Sequence, residues 1–516
     1  MIEGASMNGS TPPQLPLRSP KVMLIGAGMT GILMTIKLRE AGITDITILE
    51  KKESLGGTWR ENTYPGLACD VPSHMYTYSF EPNPEWSHLC AYGSEIREYF
   101  ERVGRKYGVT EKILFNEAVT RSIYGKGQWT VTSSKGNTYV ADFIINCTGI
   151  LHHPAKPDIK GIETFGGDMF HTAEWNHTVD LTGKRVGVIG TGSTAAQVIP
   201  EVAKAAGKLS VFQRTPQWIF PWANKTVSEK SKKKLRDNPN RVRRLRGLYV
   251  WMMANLLTKA TAGHQPQRAI LSAVCQLNLK LSIKDKSLRK KLTPDYAVGC
   301  KRLIVNKTFY KAVQRNNVDL VTEGIAEITP KGIKTRDGKE HELDALVLST
   351  GFHNFNFMRP MDMRGKGGLK IDDAWSKKVQ AYRSMFLPNF PNSFLMLGPN
   401  SPIGNYSVIA MSEVQCAYIL KIIGHWQQGE FDEIDVKPSA FKSFNEYLKA
   451  GMSKTVWVGG CQSWYLDDDG DPALWPYTWQ QWEKEMKEPK MADFITEKFP
   501  PKTEKTTKKN EVSAAA

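Results

Sequence analysis

The chain has 516 residues, 41% of them hydrophobic and 23% charged, with a formal charge of +17. That is a globular composition too long for one core, and it argues against a disordered or membrane-embedded protein. No stretch approaches the roughly 18 apolar residues that cross a bilayer, and no apolar segment follows the start, so neither a span nor a secretory leader is expected and a cytoplasmic address is the default.

The seven cysteines, at 69, 90, 147, 275, 300, 416 and 461, are scattered without a CxxC pair. This spacing argues against a disulfide framework, a zinc site or a redox-active cysteine pair, and no metal is expected.

Residues 1–19 read as a flexible tail. The apolar run Val22–Ile25 then leads into Gly26-Ala27-Gly28-Met29-Thr30-Gly31, followed by helically spaced Ile32, Ile36 and Leu38. This predicts strand, tight turn and helix. Gly26 permits the turn, Gly28 lets a pyrophosphate reach the helix N-terminus, and Gly31 lets helix and strand pack closely. The next strand, 46–49, ends in Glu50, 19 residues past Gly31, where a carboxylate accepts hydrogen bonds from ribose hydroxyls.

The construction recurs at Val186–Ile189, followed by Gly190-Thr191-Gly192-Ser193-Thr194-Ala195 and a helix through Val198 and Val202. Nineteen residues past Ala195 stands Arg214, where the first copy has Glu50. A carboxylate there repels a 2′-phosphate, whereas a guanidinium binds one through paired charge-assisted hydrogen bonds. The first site therefore suits FAD and the second NADPH, with Gln197 on the second helix and Thr215 beside Arg214 assigned to the second site.

Each fold should close with a returning strand, and Phe143–Cys147 before Thr148-Gly149 and Leu346–Leu348 before Thr350-Gly351 fit that role. The stretch between Arg214 and the second of these reads as a mostly helical insertion. It carries dense basic runs, from Lys225 to Arg246 and from Lys284 to Lys291. These read first as solvated helix faces, and alternatively as a basic-apolar helix, Arg243 to Leu257, lying on a membrane surface.

The fold class is thus α/β, with two Rossmann-like dinucleotide-binding domains. The expected boundaries are 20–157 and 388–499 for the FAD domain, 158–222 and 322–387 for the NADP domain, 223–321 for the helical insertion, and a second tail at 500–516.

Between the two glycine turns, Phe165, Gly167, His171 and Trp175 stand in the pattern FxGxxxHxxxW. This resembles the fingerprint of the Baeyer–Villiger monooxygenases, flavoproteins that use NADPH and oxygen, although Asn176 departs from the Pro or Asp that follows there. Gly56-Gly57-Thr58-Trp59 and Tyr64 to Asp70 resemble that family's flavin-side loop, Gly299 to Arg302 its active-site loop, and Ser463-Trp464 a loop reaching the nicotinamide ribose.

The resemblance implies that Gly57, Thr58, Trp59, Asp70, Tyr76, Val119 and Val408 contact the flavin cofactor. It further implies that Lys301 joins Arg214 at the 2′-phosphate and that Trp464 reaches the nicotinamide side. His171 by itself reads as a core histidine holding a linker; its place on the connector between the two nucleotide domains offers the alternative that it ties their relative motion to the cofactor state.

The implied reaction inserts oxygen from O2 into a small-molecule ketone, giving an ester or lactone through a flavin peroxide, with sulfoxidation as a side activity. The anionic peroxide attacks ketones and the protonated one oxidises soft nucleophiles, so a fixed cation selects the former. Arg302 is the candidate cation, and Asp70 the anion that positions it and offsets its burial; the alternative is that the two only form a domain-bridging ion pair. Two alternatives stay open: a flavin monooxygenase acting on nitrogen or sulfur, and a non-catalytic membrane- or nucleic-acid-binding protein using the basic insertion. No nucleic-acid partner is expected on the enzymatic reading.

Overall fold

The computed structural model describes residues 17–401, 403–404, 406–459, 465–467 and 469–500. Two five-stranded, wholly parallel sheets organise the chain. In the first, the order is Ser393–Leu395, Phe143–Asn146, Val22–Ile25, Ile46–Leu49, Ile113–Leu114. In the second it is Val318–Val321, Lys208–Phe212, Arg185–Ile189, Ala345–Leu348, Asp168–His171.

In each sheet the strand preceding the glycine turn lies at the centre, flanked by the strand that follows its helix and by the returning strand. Both central strands are buried on both faces, which is why they read as uninterrupted apolar runs. The fifth strand differs in origin. The first sheet receives it from the chain coming back at Ser393–Leu395, and the second from the chain on its way in, at Asp168–His171.

The structure departs from the sequence reading in several places. His171 does not sit on a free connector: it ends an edge strand, its Cα paired in register with Leu348. Gly167 makes this strand possible, since a Cβ there would stand 2.4 Å from the Asp344 carbonyl oxygen.

Within 223–321, five helices, Glu229–Arg236, Pro239–Thr261, Gln265–Ser282, Lys286–Leu292 and the short Phe309–Ala312, precede Val318–Val321, which is an outer strand of the second sheet rather than part of a helical excursion. Its four residues, only two of them buried, carry too short a pattern to be told from helix. A three-stranded antiparallel sheet, Ile325–Thr329, Gly332–Thr335 and Glu340–Glu342, follows it.

Of the expected tails, 1–16 and 501–516 lie outside the described residues. Arg18, inside the first expected tail, is anchored: its Nε donates to the Trp426 carbonyl at 2.9 Å, at the carbonyl-rich end of the helix Val408–Gln427, and its guanidinium lies 4.0 Å from the Trp426 ring centre.

That helix is, among the described residues, the one long and apolar enough to cross a membrane by length and composition. More than half of it is buried within the protein, through residues such as Ile409, Cys416, Ile419 and Ile423. Cys69, Cys90, Cys147, Cys275 and Cys416 are free and buried. Cys300 is disulfide-bonded, which the scattered spacing gave no reason to expect.

Candidate active site

Both glycine turns open into one cavity of about 1110 Å³ at the carboxyl ends of the two sheets, where open parallel sheets place their ligands. The helices that follow, Met29–Glu40 and Ser193–Ala205, begin at Gly28 and Gly192 with no side-chain cap. Their first N–H groups are therefore left for a ligand, unlike those of the helices capped by Ser228, Asn238, Asp285, Ser407 and Thr478.

Gly28 and Gly57 face each other so closely that a Cβ on Gly57 would lie 3.0 Å from the Gly28 Cα. Gly31 stands behind the turn, where a Cβ would fall 2.1 Å from the Gly26 carbonyl oxygen. Gly190 likewise backs onto the Ser349 carbonyl oxygen, 2.4 Å from where its Cβ would be.

Glu50 lines the cavity at 6% exposure and is locked in place, Oε2 accepting from the Ala27 N–H at 2.8 Å and Oε1 from the Lys52 N–H at 3.0 Å. It thus holds the first glycine turn and keeps lone pairs for hydroxyl donors. These features fit an FAD dinucleotide at the first turn.

At the second, Arg214 is exposed on the cavity wall beside Lys301, whose pKa is lowered first by burial and then by the Arg214 charge. Two cations held close enough to repel one another fit a site for a doubly charged 2′-phosphate. Lys301 Nζ also lies 4.9 Å from the Tyr296 ring centre.

Arg302, the next residue, pairs with Asp70. Its Nε donates to Asp70 Oδ2 at 2.9 Å and its Nη2 to Oδ1 at 2.8 Å, a two-pronged charge-assisted fork. The pair keeps 33% of the Arg302 side chain and 12% of Asp70 exposed, and both line the cavity. The Asp70 carboxylate raises the Arg302 pKa above its ordinary value against the opposing effect of burial, so the guanidinium stays charged. The loop carrying Asp70 is pinned by a hydrogen bond from the Cys69 N–H to the Ala91 carbonyl at 2.9 Å.

Gly26, Thr58, Trp59, Tyr76, Val119, Val408, Ser193, Thr194 and Gln197 also line the cavity. Trp59 and Tyr76 brace one another through a 3.0 Å hydrogen bond and an edge contact at 5.5 Å. Gln197 has a role the sequence did not suggest: its Nε2 donates to the Ala68 carbonyl at 2.8 Å, joining the second helix to the loop that carries Asp70.

Gly31, Gly190, Thr191, Ala195 and Thr215 do not line the cavity but support it. Thr191 Oγ1, for example, donates to the Thr215 carbonyl at 2.9 Å and so ties the second turn to the Arg214 loop. Ser463 and Trp464 lie outside the described residues.

Phe165, Gly167, His171 and Trp175 are also absent from the cavity wall. His171 is buried; its Nδ1 accepts from the Ala173 N–H at 3.1 Å, burial lowers its pKa, and its ring meets Phe352 edge-on at 5.9 Å. Phe352 belongs to a doubled connector. The segments following the two returning strands run side by side, joined by the Ala155 N–H to the Gly351 carbonyl at 2.9 Å and Thr350 Oγ1 to the Ala155 carbonyl at 2.6 Å.

Residues of this connector, Ile150, His152, His153, Phe352 and Met358, line the cavity and were missed, as were Gln217 and Tyr465. The signal for the first five was present in the repeated Thr-Gly after each returning strand.

Two uncapped glycine turns sharing one cleft, one facing an acid and the other a pair of cations, define a two-dinucleotide flavoprotein. The chain belongs to the flavin-binding monooxygenase-like family, whose model matches residues 19–432. It is 38% identical over 469 residues to a Baeyer–Villiger monooxygenase of Pseudomonas aeruginosa (90% of this chain, 89% of that one). It is 37% identical over 479 residues to one of Streptomyces coelicolor (92% of each), and 44% identical over 463 residues to an uncharacterised monooxygenase of Mycobacterium tuberculosis (89% and 92%).

Among solved structures it superposes on OTEMO in complex with FAD and NADP with a TM-score of 0.83 at 28% identity, covering 93% of this chain and all of that one. An oxidised steroid monooxygenase bound to NADP gives 0.82 at 27%, with 93% of this chain covered.

Proposed function

We propose that the protein is an FAD- and NADPH-dependent Baeyer–Villiger monooxygenase that converts a ketone into an ester or lactone. The observation that carries this reading is the Asp70–Arg302 fork on the wall of the cavity into which both glycine turns open.

Bound FAD supplies the oxygen chemistry and NADPH the reducing equivalents. The chain's own residues bind, orient and stabilise. Glu50 accepts the ribose hydroxyls at the first turn, while Arg214 and Lys301 neutralise the 2′-phosphate at the second. Arg302 presents a permanent positive charge to the negative charge that develops on the ketone oxygen, prearranged by Asp70 so that little reorganisation is needed. A guanidinium moves no proton at working pH, so its contribution is electrostatic. His171 positions Phe352 in the doubled connector and so sets the relation of the two nucleotide sites.

The test is a panel of cyclic, linear and steroidal ketones with an aryl sulfide, incubated with NADPH and oxygen and analysed for products. Esters or lactones carrying one added oxygen are expected. Ketones recovered unchanged while the sulfide is oxidised would move the protein to the nitrogen- and sulfur-oxygenating reading.

A further inference from the structure

The charge of this protein is not spread over it. Residues 223–292 hold 18 Lys and Arg against 3 Asp and Glu, whereas the whole chain holds 69 against 52. Outside this stretch the two signs nearly balance, so its helices carry almost all of the net +17.

Among the described residues, ion pairs engage only Lys232, Arg236 and Arg246 of the eighteen. Neither cofactor site explains the excess, since the cations facing the cavity, Lys51, Arg214, Lys301, Arg302 and Arg359, all lie outside the stretch.

The same helices expose apolar side chains. On Pro239–Thr261, Leu248 and Trp251 are one turn apart and 56% and 64% exposed. On Gln265–Ser282, Ile270, Ala273, Leu277 and Leu281 recur at spacings of three, four and four, forming one outward stripe opposite buried Leu271, Cys275 and Leu279. Exposed Arg243 and Arg244 precede Leu248, and exposed Lys280 and Lys284 bracket Leu281.

Large apolar groups in solvent with cations at their margins match a surface that offers hydrocarbon beneath a layer of negative charge. A nucleic acid would use the cations and leave the leucine stripe unused.

We propose that this helical pair docks the enzyme peripherally on anionic phospholipid bilayers. The FAD-loaded protein, floated with vesicles of phosphatidylcholine alone and of phosphatidylcholine mixed with phosphatidylglycerol, should rise only with the latter and be released by high salt. Charge reversal in Arg243→Glu/Arg244→Glu should weaken binding by about five-fold or more per residue. Trp251→Ser and Leu277→Ser should weaken it as well, with flavin content and thermal stability unchanged. Flotation with neither vesicle, equal flotation with both, or wild-type binding by the serine variants overturns the proposal. So does duplex DNA that competes fully and is bound equally well by the serine variants.

Discussion

Removing the Arg302 guanidinium separates its two roles. In Arg302→Ala the cation is lost from the cavity wall and Asp70, only 12% exposed, loses its forked partner. Loss of a preorganised charge stabiliser costs about 10²–10³-fold in rate, about 3–4 kcal/mol. The folding cost is smaller. Breaking a fully buried pair costs about 3–5 kcal/mol, but a third of the Arg302 side chain reaches the cavity, where water can replace it, so roughly 1–3 kcal/mol is expected.

Reduction by NADPH, followed anaerobically by loss of flavin absorbance, should proceed at close to the wild-type rate. Ester or lactone formation should fall by at least about a hundred-fold. Product formation above about a tenth of wild type would refute the electrostatic role. A comparable collapse of flavin reduction would instead assign Arg302 to nucleotide binding.

Arg214→Ala should raise the KM for NADPH far more than that for NADH, which steady-state kinetics with both nucleotides would reveal. Because burial and, after it, the Arg214 charge depress the Lys301 pKa, NADPH affinity should fall with rising pH earlier than for an ordinary lysine, and in Arg214→Ala, with the second cause removed, this limb should move part of the way to higher pH. His171→Ala should leave flavin binding intact yet raise the fraction of NADPH consumed without product, since the Phe352 connector loses its packing partner; unchanged coupling would leave the residue purely structural.

Asp435, buried and accepting from the Asn389 N–H at 2.9 Å, has its pKa raised by burial from 3.8 to about 7. Between those values the native state holds a proton the unfolded chain has released, so this group makes stability fall as pH rises. Asp435→Asn should flatten that part of the melting-temperature profile and gain ~1–3 kcal/mol above it.

Most of the nucleotide scaffold was legible because it is local. A strand, a glycine turn and a helix are contiguous in sequence, and the residue ending the next strand falls at a nearly constant offset, so Glu50 and Arg214 could be located by counting. Steric necessity leaves the same mark, as at Gly31, where any side chain would strike the Gly26 carbonyl.

Long-range juxtaposition was not legible from composition or periodicity. Asp70 and Arg302 lie 232 positions apart, and only the resemblance of their loops to a known family paired them. Gln197 clamping the Ala68 loop, the doubled connector behind the cavity and the placement of Asp168–His171 as a sheet edge all arise where separate segments meet. Local sequence thus determined which pieces form and what nucleotide chemistry each can hold. Tertiary packing decided that the two sites share one cleft, with a fixed charge standing in its wall.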